Sequence, residues 1–211
     1  MDPKPVPAAR ATRRAGKHTR QVLFDAATEL FLEHGEAVSI ARICSAADAH
    51  PNQVTYYYGS KEKLFVEVAC AAILRAGKQA ELDAADAATI GDYTHKLVGS
   101  LLGTASPSVE IFVEAMVMTG RRGELRDLIS TTLRTLHASG EAALLGTLTR
   151  TGWQLRASID VEAKAFWSAI FGLVVQKTAT GESFGYSLEE AVAVIFATLR
   201  IPDAVLNQSM N

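Results

Sequence analysis

The chain has 211 residues, 48% of them apolar, and 21 Lys and Arg stand against 23 Asp and Glu for a formal net charge of −2. A chain of this length buries about 70% of its unfolded surface and needs no covalent staple, and its balanced charge excludes a globally basic nucleic-acid coat protein. With only Cys44 and Cys70, no apolar leader and no membrane-length apolar run, the expectation is a cytoplasmic protein with reduced thiols and no membrane contact.

Residues 1–18 carry Pro3, Pro5 and Pro7 among Lys4, Arg10, Arg13, Arg14 and Lys17, with Asp2 the single acid. They read as a flexible basic arm. From Thr19, "TRQVLFDAATELFLEHG" sets Leu23, Ala26, Ala27, Leu30 and Phe31 on one stripe, with Thr19 as N-cap and Gly35 as the stop. "SIARICSAAD" then offers Ser39 as a cap and Ile40, Ile43 and Ala47 as a short apolar face. After Asp48-Ala49-His50, Pro51 suits a new first helical turn. Ser60 can cap the next helix, whose stripe includes Leu64, Phe65, Val68, Ala72 and Ile73.

Further helices are expected at about 91–104, 107–119, 123–150 and 160–180. A last one is opened by the capping box of Ser187 and Glu190 and stops before Pro202. No strand alternation is visible, so the fold class is all-α. Between Ala163 and Val175 only Lys164 and Ser168 are polar. A helix apolar all round must be buried on more than one side, in a deep core or in a core shared with a second copy; the shared core is favoured.

Two short helices with a tight turn across residues 39–57 follow the helix-turn-helix plan, in which the second helix meets base edges in the major groove. Spacing alone is weak evidence, because many α-bundles contain short hairpins. The side chains strengthen it: Asn52, Gln53, Thr55, Tyr56 and Tyr57 supply amides and hydroxyls with no carboxylate among them. Asn and Gln can pair with adenine, and the Thr methyl can meet a thymine methyl. Tyrosine hydroxyls and Lys61 can hold phosphates. With Ser39 and Pro51 at the two helix starts, these residues form the candidate set for double-stranded DNA. The basic arm then has two readings, a solvated tail or a segment that follows the DNA backbone or enters the minor groove.

Residues 19–65, "TRQVLFDAATELFLEHGEAVSIARICSAADAHPNQVTYYYGSKEKLF", resemble the DNA-binding domain of the tetracycline-repressor (TetR) family of bacterial transcriptional regulators. The features that carry the resemblance are "ATELFLEHG", "SIARIC-AA" and "YYYGSKEKL". The chain departs from the family pattern at Asp48, where glycine is common, at His50, where a serine cap is common, and at Thr55, where many members have tyrosine. Cys44 occupies a position that is usually alanine. The resemblance implies that Tyr58 locks the recognition helix to the core while Tyr56 and Tyr57 face DNA.

It further implies a domain order of arm (1–18), three-helix DNA-binding domain (19–65) and helical effector-binding and dimerisation domain (66–211). The homodimer would form through the helices at about 160–180 and 187–200. Tyr93, Phe112, Met116, Trp153, Trp167 and Phe171 are candidates for the wall of a small-molecule effector pocket, against the plainer reading that they are ordinary core. His95 and His137 have no neighbours at metal-ligand spacing, so no metal and no cofactor is expected. Arg121-Arg122 reads as a solvated turn.

An enzyme finds no support: no phosphate-cradling glycine loop is present, and "GESFG" from Gly181 lies between helices and not after a strand. The expected function is therefore a ligand-released repressor on a palindromic operator. The alternative is a helical ligand-binding or protein-interaction module that has lost sequence-specific DNA binding.

Overall fold

The computed structural model describes residues 7–120, 122–151, 155, 157–181 and 185–207. Among them ten α-helices and no strand are found. The chain divides into two compact units, Met1–Ala69 and Cys70–Asn211, so the division falls inside a helix and not after Phe65.

The first unit contains α1 (Pro7–His34), α2 (Ile40–Ala46), α3 (Asn52–Tyr58) and the opening turns of α4 (Lys61–Asp83). Its largest departure from expectation is at the start. The helix begins at Pro7, where the sequence reading has an arm through residue 18. Proline is tolerated in a first turn, and the alanines and arginines after it are strong helix formers. Thr19 is consequently mid-helix and not an N-cap; its hydroxyl donates to the Ala15 carbonyl at 3.0 Å. Residues 1–6, with Pro3 and Pro5, lie outside the described residues.

α1 stops at His34, and Gly35 follows with φ 63°. Leu23, Ala27 and Phe31 from α1 meet Ile43, Val54, Tyr58, Leu64 and Phe65 in the core. The Phe31 and Phe65 rings pack edge to face, with centroids 5.0 Å apart.

The second unit holds the rest of α4, then α5 (Ile90–Leu102), α6 (Ser106–Thr119), α7 (Arg126–Thr151), α8 (Ile159–Thr180), α9 (Leu188–Leu199) and a short α10 (Asp203–Leu206) that the periodicity did not announce. The helix expected from residue 123 opens as a 3₁₀ turn, Gly123–Leu125, before α7. The capping box forms as read: Ser187 accepts from the Glu190 N–H and Glu190 accepts from the Ser187 N–H.

α8 packs against α5, α6, α7 and α9. Its inner side buries Ala163, Trp167, Ile170 and Val174. Val161, Ser168 and Val175 remain exposed on the other side, with Ala165, Ala169 and Gly172 half-buried between them. On α9, Ala193 and Ala197 are exposed beside half-buried Val194. Within one chain, then, α8 is covered on one side only. Among the described residues no single helix is long and apolar enough to cross a membrane.

Candidate functional site

In the first unit the α2–α3 hairpin is built by local hydrogen bonds. The Ser39 hydroxyl oxygen accepts from the Arg42 N–H at 3.2 Å and caps α2. The turn passes through Asp48 at φ 47°, a left-handed conformation that Asp tolerates better than most residues. The His50 side chain does not cap α3. Instead the His50 N–H donates to the Gln53 Oε1 at 3.0 Å, so half of the Gln53 amide is used inside the protein. Cys44 is buried under this turn as a free thiol that contacts the His50 carbonyl at 3.6 Å, and burial pushes its pKa up.

Replacing Ser39 with alanine should cost about 1 kcal/mol through the lost cap, whereas Ser39→Asp should restore the melting temperature. Equal thermal melts for Ser39→Ala and wild type would show that the cap contributes nothing.

The outward face of α3 presents Pro51, Asn52, Thr55 and Tyr56, all exposed, with Gln53 half-buried beside them. α3 ends at Gly59, whose φ of 83° is poorly accessible to residues with a side chain. The three tyrosines separate sharply. Tyr56 is 80% exposed. Tyr57 is half-buried, edge-on to Tyr56 at 4.8 Å, and turned toward α1, where a Cβ on Gly16 would lie 3.5 Å from its hydroxyl. Tyr58 is core: its hydroxyl donates to the Arg20 carbonyl at 2.5 Å, and the Arg20 guanidinium sits 4.7 Å above its ring.

Lys61 corrects the sequence reading. Its ammonium donates to the Glu36 carbonyl at 2.7 Å and pairs with the Glu36 carboxylate at 2.8 Å, an engagement inside the unit and not an open phosphate donor. Arg20 is tied similarly to Glu67 at 2.8 Å. The cation that sequence reasoning passed over is Arg42, exposed on α2 and 2.6 Å from the His34 ring nitrogen. Its position three residues after the Ser39 cap was the available signal.

The second unit contains a cavity of about 360 Å³. Leu74, Gly77, Lys78 and Glu81 of α4 form one wall, and Tyr93, Leu97 and Leu101 of α5 form another. α7 lines it from Thr135 to Thr147 with mostly small residues, including Ser139, Gly140 and Ala143. Ala163, Phe166 and Trp167 of α8 complete it. Gly140 lets α7 and α8 approach closely, since a Cβ there would come within 3.3 Å of the Ala163 Cβ. The Trp167 ring is fixed by its N–H donating to the Leu136 carbonyl at 3.3 Å.

One polar pair stands in this apolar space. The Tyr93 hydroxyl donates to the Glu81 Oε2 at 2.6 Å. Burial pushes the Glu81 pKa up, with the Tyr93 hydrogen bond opposing it. Burial, and then the neighbouring Glu81 charge, push Tyr93 up as well.

Of the residues expected on a pocket wall, Tyr93 and Trp167 are there. Phe112 and Phe171 are not; they stack behind Trp167, with Phe112 to Phe171 at 5.7 Å and Phe171 to Trp167 at 5.5 Å. Met116 sits half-buried on α6, away from the cavity lining. Trp153 lies outside the described residues, as do Arg121 and Phe184. Glu81 and the small residues of α7 were missed, and Phe166, one of the aromatics of this half, lines the cavity although it was left out of the expected set. The spacing of Leu74, Gly77, Lys78 and Glu81 on one helix face could have revealed the first.

A short hairpin with an exposed, carboxylate-free second helix, joined to a separate helical unit with an internal cavity, defines a ligand-binding helix-turn-helix protein. The chain belongs to the TetR family of bacterial transcriptional regulators. Residues 23–68 match the family described as "Bacterial regulatory proteins, tetR family", and residues 90–196 match that described as "Bacterial transcriptional repressor C-terminal". It is accordingly a transcriptional regulator with an N-terminal DNA-binding domain and a C-terminal ligand-binding domain.

A solved structure from Rhodococcus sp. RHA1, described as a transcriptional regulator, is 75% identical over 90% of this chain and 99% of its own, with a TM-score of 0.85. A TetR-family protein from Mesorhizobium loti MAFF303099 is 18% identical over 88% of this chain and 95% of its own, with a TM-score of 0.65. The fatty acid degradation regulator FadR from Bacillus halodurans is 14% identical over 94% and 95%, with a TM-score of 0.63. At such identities the last two share the fold alone. No curated protein matches the chain.

Proposed function

We propose that the protein is a cytoplasmic homodimeric repressor that binds a palindromic operator and is released by a small, moderately apolar effector. The observation that carries the DNA half is the exposed face of α3, where Asn52, Thr55 and Tyr56 stand together without a carboxylate. In a two-fold dimer the two copies of α3 would enter successive major-groove faces about 34–36 Å apart. Asn52 and the free half of the Gln53 amide would read bases, and Tyr56, Arg42 and the Ser39 hydroxyl would hold the backbone. The basic start of α1 adds positive charge for phosphates.

The cavity in the second unit supports the effector half. Its volume of about 360 Å³ is at the lower end of the range of about 300–1,000 Å³ for small-molecule sites. An effector that binds better to a dimer with the wrong helix separation would shift the population off DNA, by no more than its differential affinity.

One observation favours the second reading, a module without sequence-specific DNA binding: Lys61 and Arg20, two nearby cations, are committed to Glu36 and Glu67. Selection of genomic fragments by the purified protein, followed by affinity titration against salt, decides between them. The expected result is a short palindrome whose log affinity falls linearly with log salt. Uniform weak binding by protein refolded free of ligand would favour the second reading.

A further inference from the structure

The Glu81–Tyr93 pair points beyond an unspecified apolar effector. Glu81 lies on the same face of α4 as Leu74 and Gly77, facing a cavity walled mostly by leucines, small residues and the rings of Phe166 and Trp167, with Thr135, Thr147 and Lys78 also on its lining. Its Oε2 accepts from Tyr93, and no ion pair joins Glu81 to a cation among the described residues. The second oxygen makes no hydrogen bond among the described residues and, on a half-buried side chain, stays open to the cavity and to water. A carboxylate so placed against apolar walls gains from a cation that binds there. Aromatic walls reinforce the same preference, because ring faces attract cations.

Two protein cations could oppose this preference. Lys78, one turn earlier on α4, also borders the cavity, but it is exposed, so water and salt screen it. Arg150 on α7 acts on Tyr93, yet it is exposed and its Nε donates to the Gly146 carbonyl at 3.3 Å. Glu81 is half-buried, where a charge is felt more strongly than at the surface. A ligand carboxylate would set a second negative charge beside it.

Resting on the reading of this cavity as the effector site, we infer that its ligand class is a small lipophilic amine, with the protonated nitrogen donating to the unengaged Glu81 oxygen and the apolar body against Leu97, Phe166 and Trp167. Tyr93 positions the carboxylate by holding its other oxygen.

The test is calorimetric titration of the purified protein with three matched probes: 4-phenylbutylamine, 4-phenylbutanol and 4-phenylbutyrate. The amine should bind wild type at least about tenfold tighter than the alcohol, the difference expected of a hydrogen bond to a charged group, and the acid should bind weakest. Glu81→Gln, which retains an acceptor for Tyr93, should bring the amine to the level of the alcohol and leave the alcohol unchanged. Ala143→Phe, which fills the cavity from α7, should abolish binding of all three. Equal affinity of amine and alcohol for wild type, both lost in Ala143→Phe, would overturn the amine assignment and leave the cavity as the site. No binding of any probe, or binding indifferent to Ala143→Phe, would overturn both.

Discussion

Glutamate at Val175 is expected to convert the proposed dimer to monomers and to lower operator affinity by about 10²-fold or more, the scale of the gain from linking two weak sites. Val175 is 48% exposed on α8, as is Val161. Between them run Ala165, Ser168 and Gly172, and a Cβ built on Gly172 meets nothing within 4 Å. On α9, Ala193 and Ala197 continue the small, apolar surface. Small residues along two helices allow the same helices of a second copy to approach closely, in a self-complementary contact about a two-fold axis.

A glutamate there would be desolvated on both copies and set near its own symmetry mate, so the cost is counted twice. Val175 is not part of the inner core, and the substituted chain should keep its helical circular dichroism, while its melt loses only the stabilisation that dimerisation supplies. Sedimentation and operator titration give the readout. A dimer of wild-type strength with wild-type DNA affinity would remove α8 from the interface. Monomers that still bind the full palindrome tightly would instead show that dimerisation does not supply the affinity.

How much was legible in the sequence depended on how local the determining physics is. Ser39, Ser60 and the Ser187–Glu190 box act within three residues of themselves, and each cap forms. The stripe from Leu64 to Ile73 needs only helical period and is fully buried at Leu64, Phe65, Val68, Ala72 and Ile73. The start of α1 was misread because three prolines dominate the composition of the tip, although Pro7 stands in the helix and the alanines after it favour that backbone.

The fate of Lys61 was hidden for a different reason: its partner Glu36 is 25 residues away, across a turn, so only the folded hairpin brings them together. The cavity was least legible. A search for aromatic side chains finds the residues that fill space, and Phe112 and Phe171 do so behind Trp167. The wall on α7 is made of small residues such as Ser139, Gly140 and Ala143, which carry no signal of their own. Glu81 was detectable as a carboxylate on an apolar face, but its partner Tyr93 lies on another helix.

Truncating Tyr58 and Tyr56, two positions apart on α3, should give different outcomes, the larger at Tyr58. Tyr58 is 2% exposed and touches α1 through both its ring and its hydroxyl. Tyr58→Ala should cost about 3–5 kcal/mol, as for other large aromatic truncations, enough to consume much of a small unit's stability and to abolish DNA binding through unfolding. Tyr58→Phe keeps the ring and should cost about 1 kcal/mol for the lost hydrogen bond.

The phenol also reports its burial through pH. Burial pushes the Tyr58 pKa up from 10.0 to about 12, with Arg20 opposing and Glu67 and Asp25 adding to the shift. The folded state therefore favours the neutral phenol. Its contribution is complete below pH about 10 and is lost as pH rises toward 12. Denaturant titrations across that window should show wild type losing stability relative to Tyr58→Phe; a difference independent of pH would mean that the hydroxyl is not held as described. Tyr56→Ala, at a side chain 80% exposed whose ring contact is the edge of Tyr57, should leave the melt nearly unchanged and weaken operator binding, as the proposed DNA-facing role of α3 requires. A melt lowered as much by Tyr56→Ala as by Tyr58→Ala would mean that Tyr56, like Tyr58, wedges helices together, and the outward face of α3 would lose its role as the DNA reader.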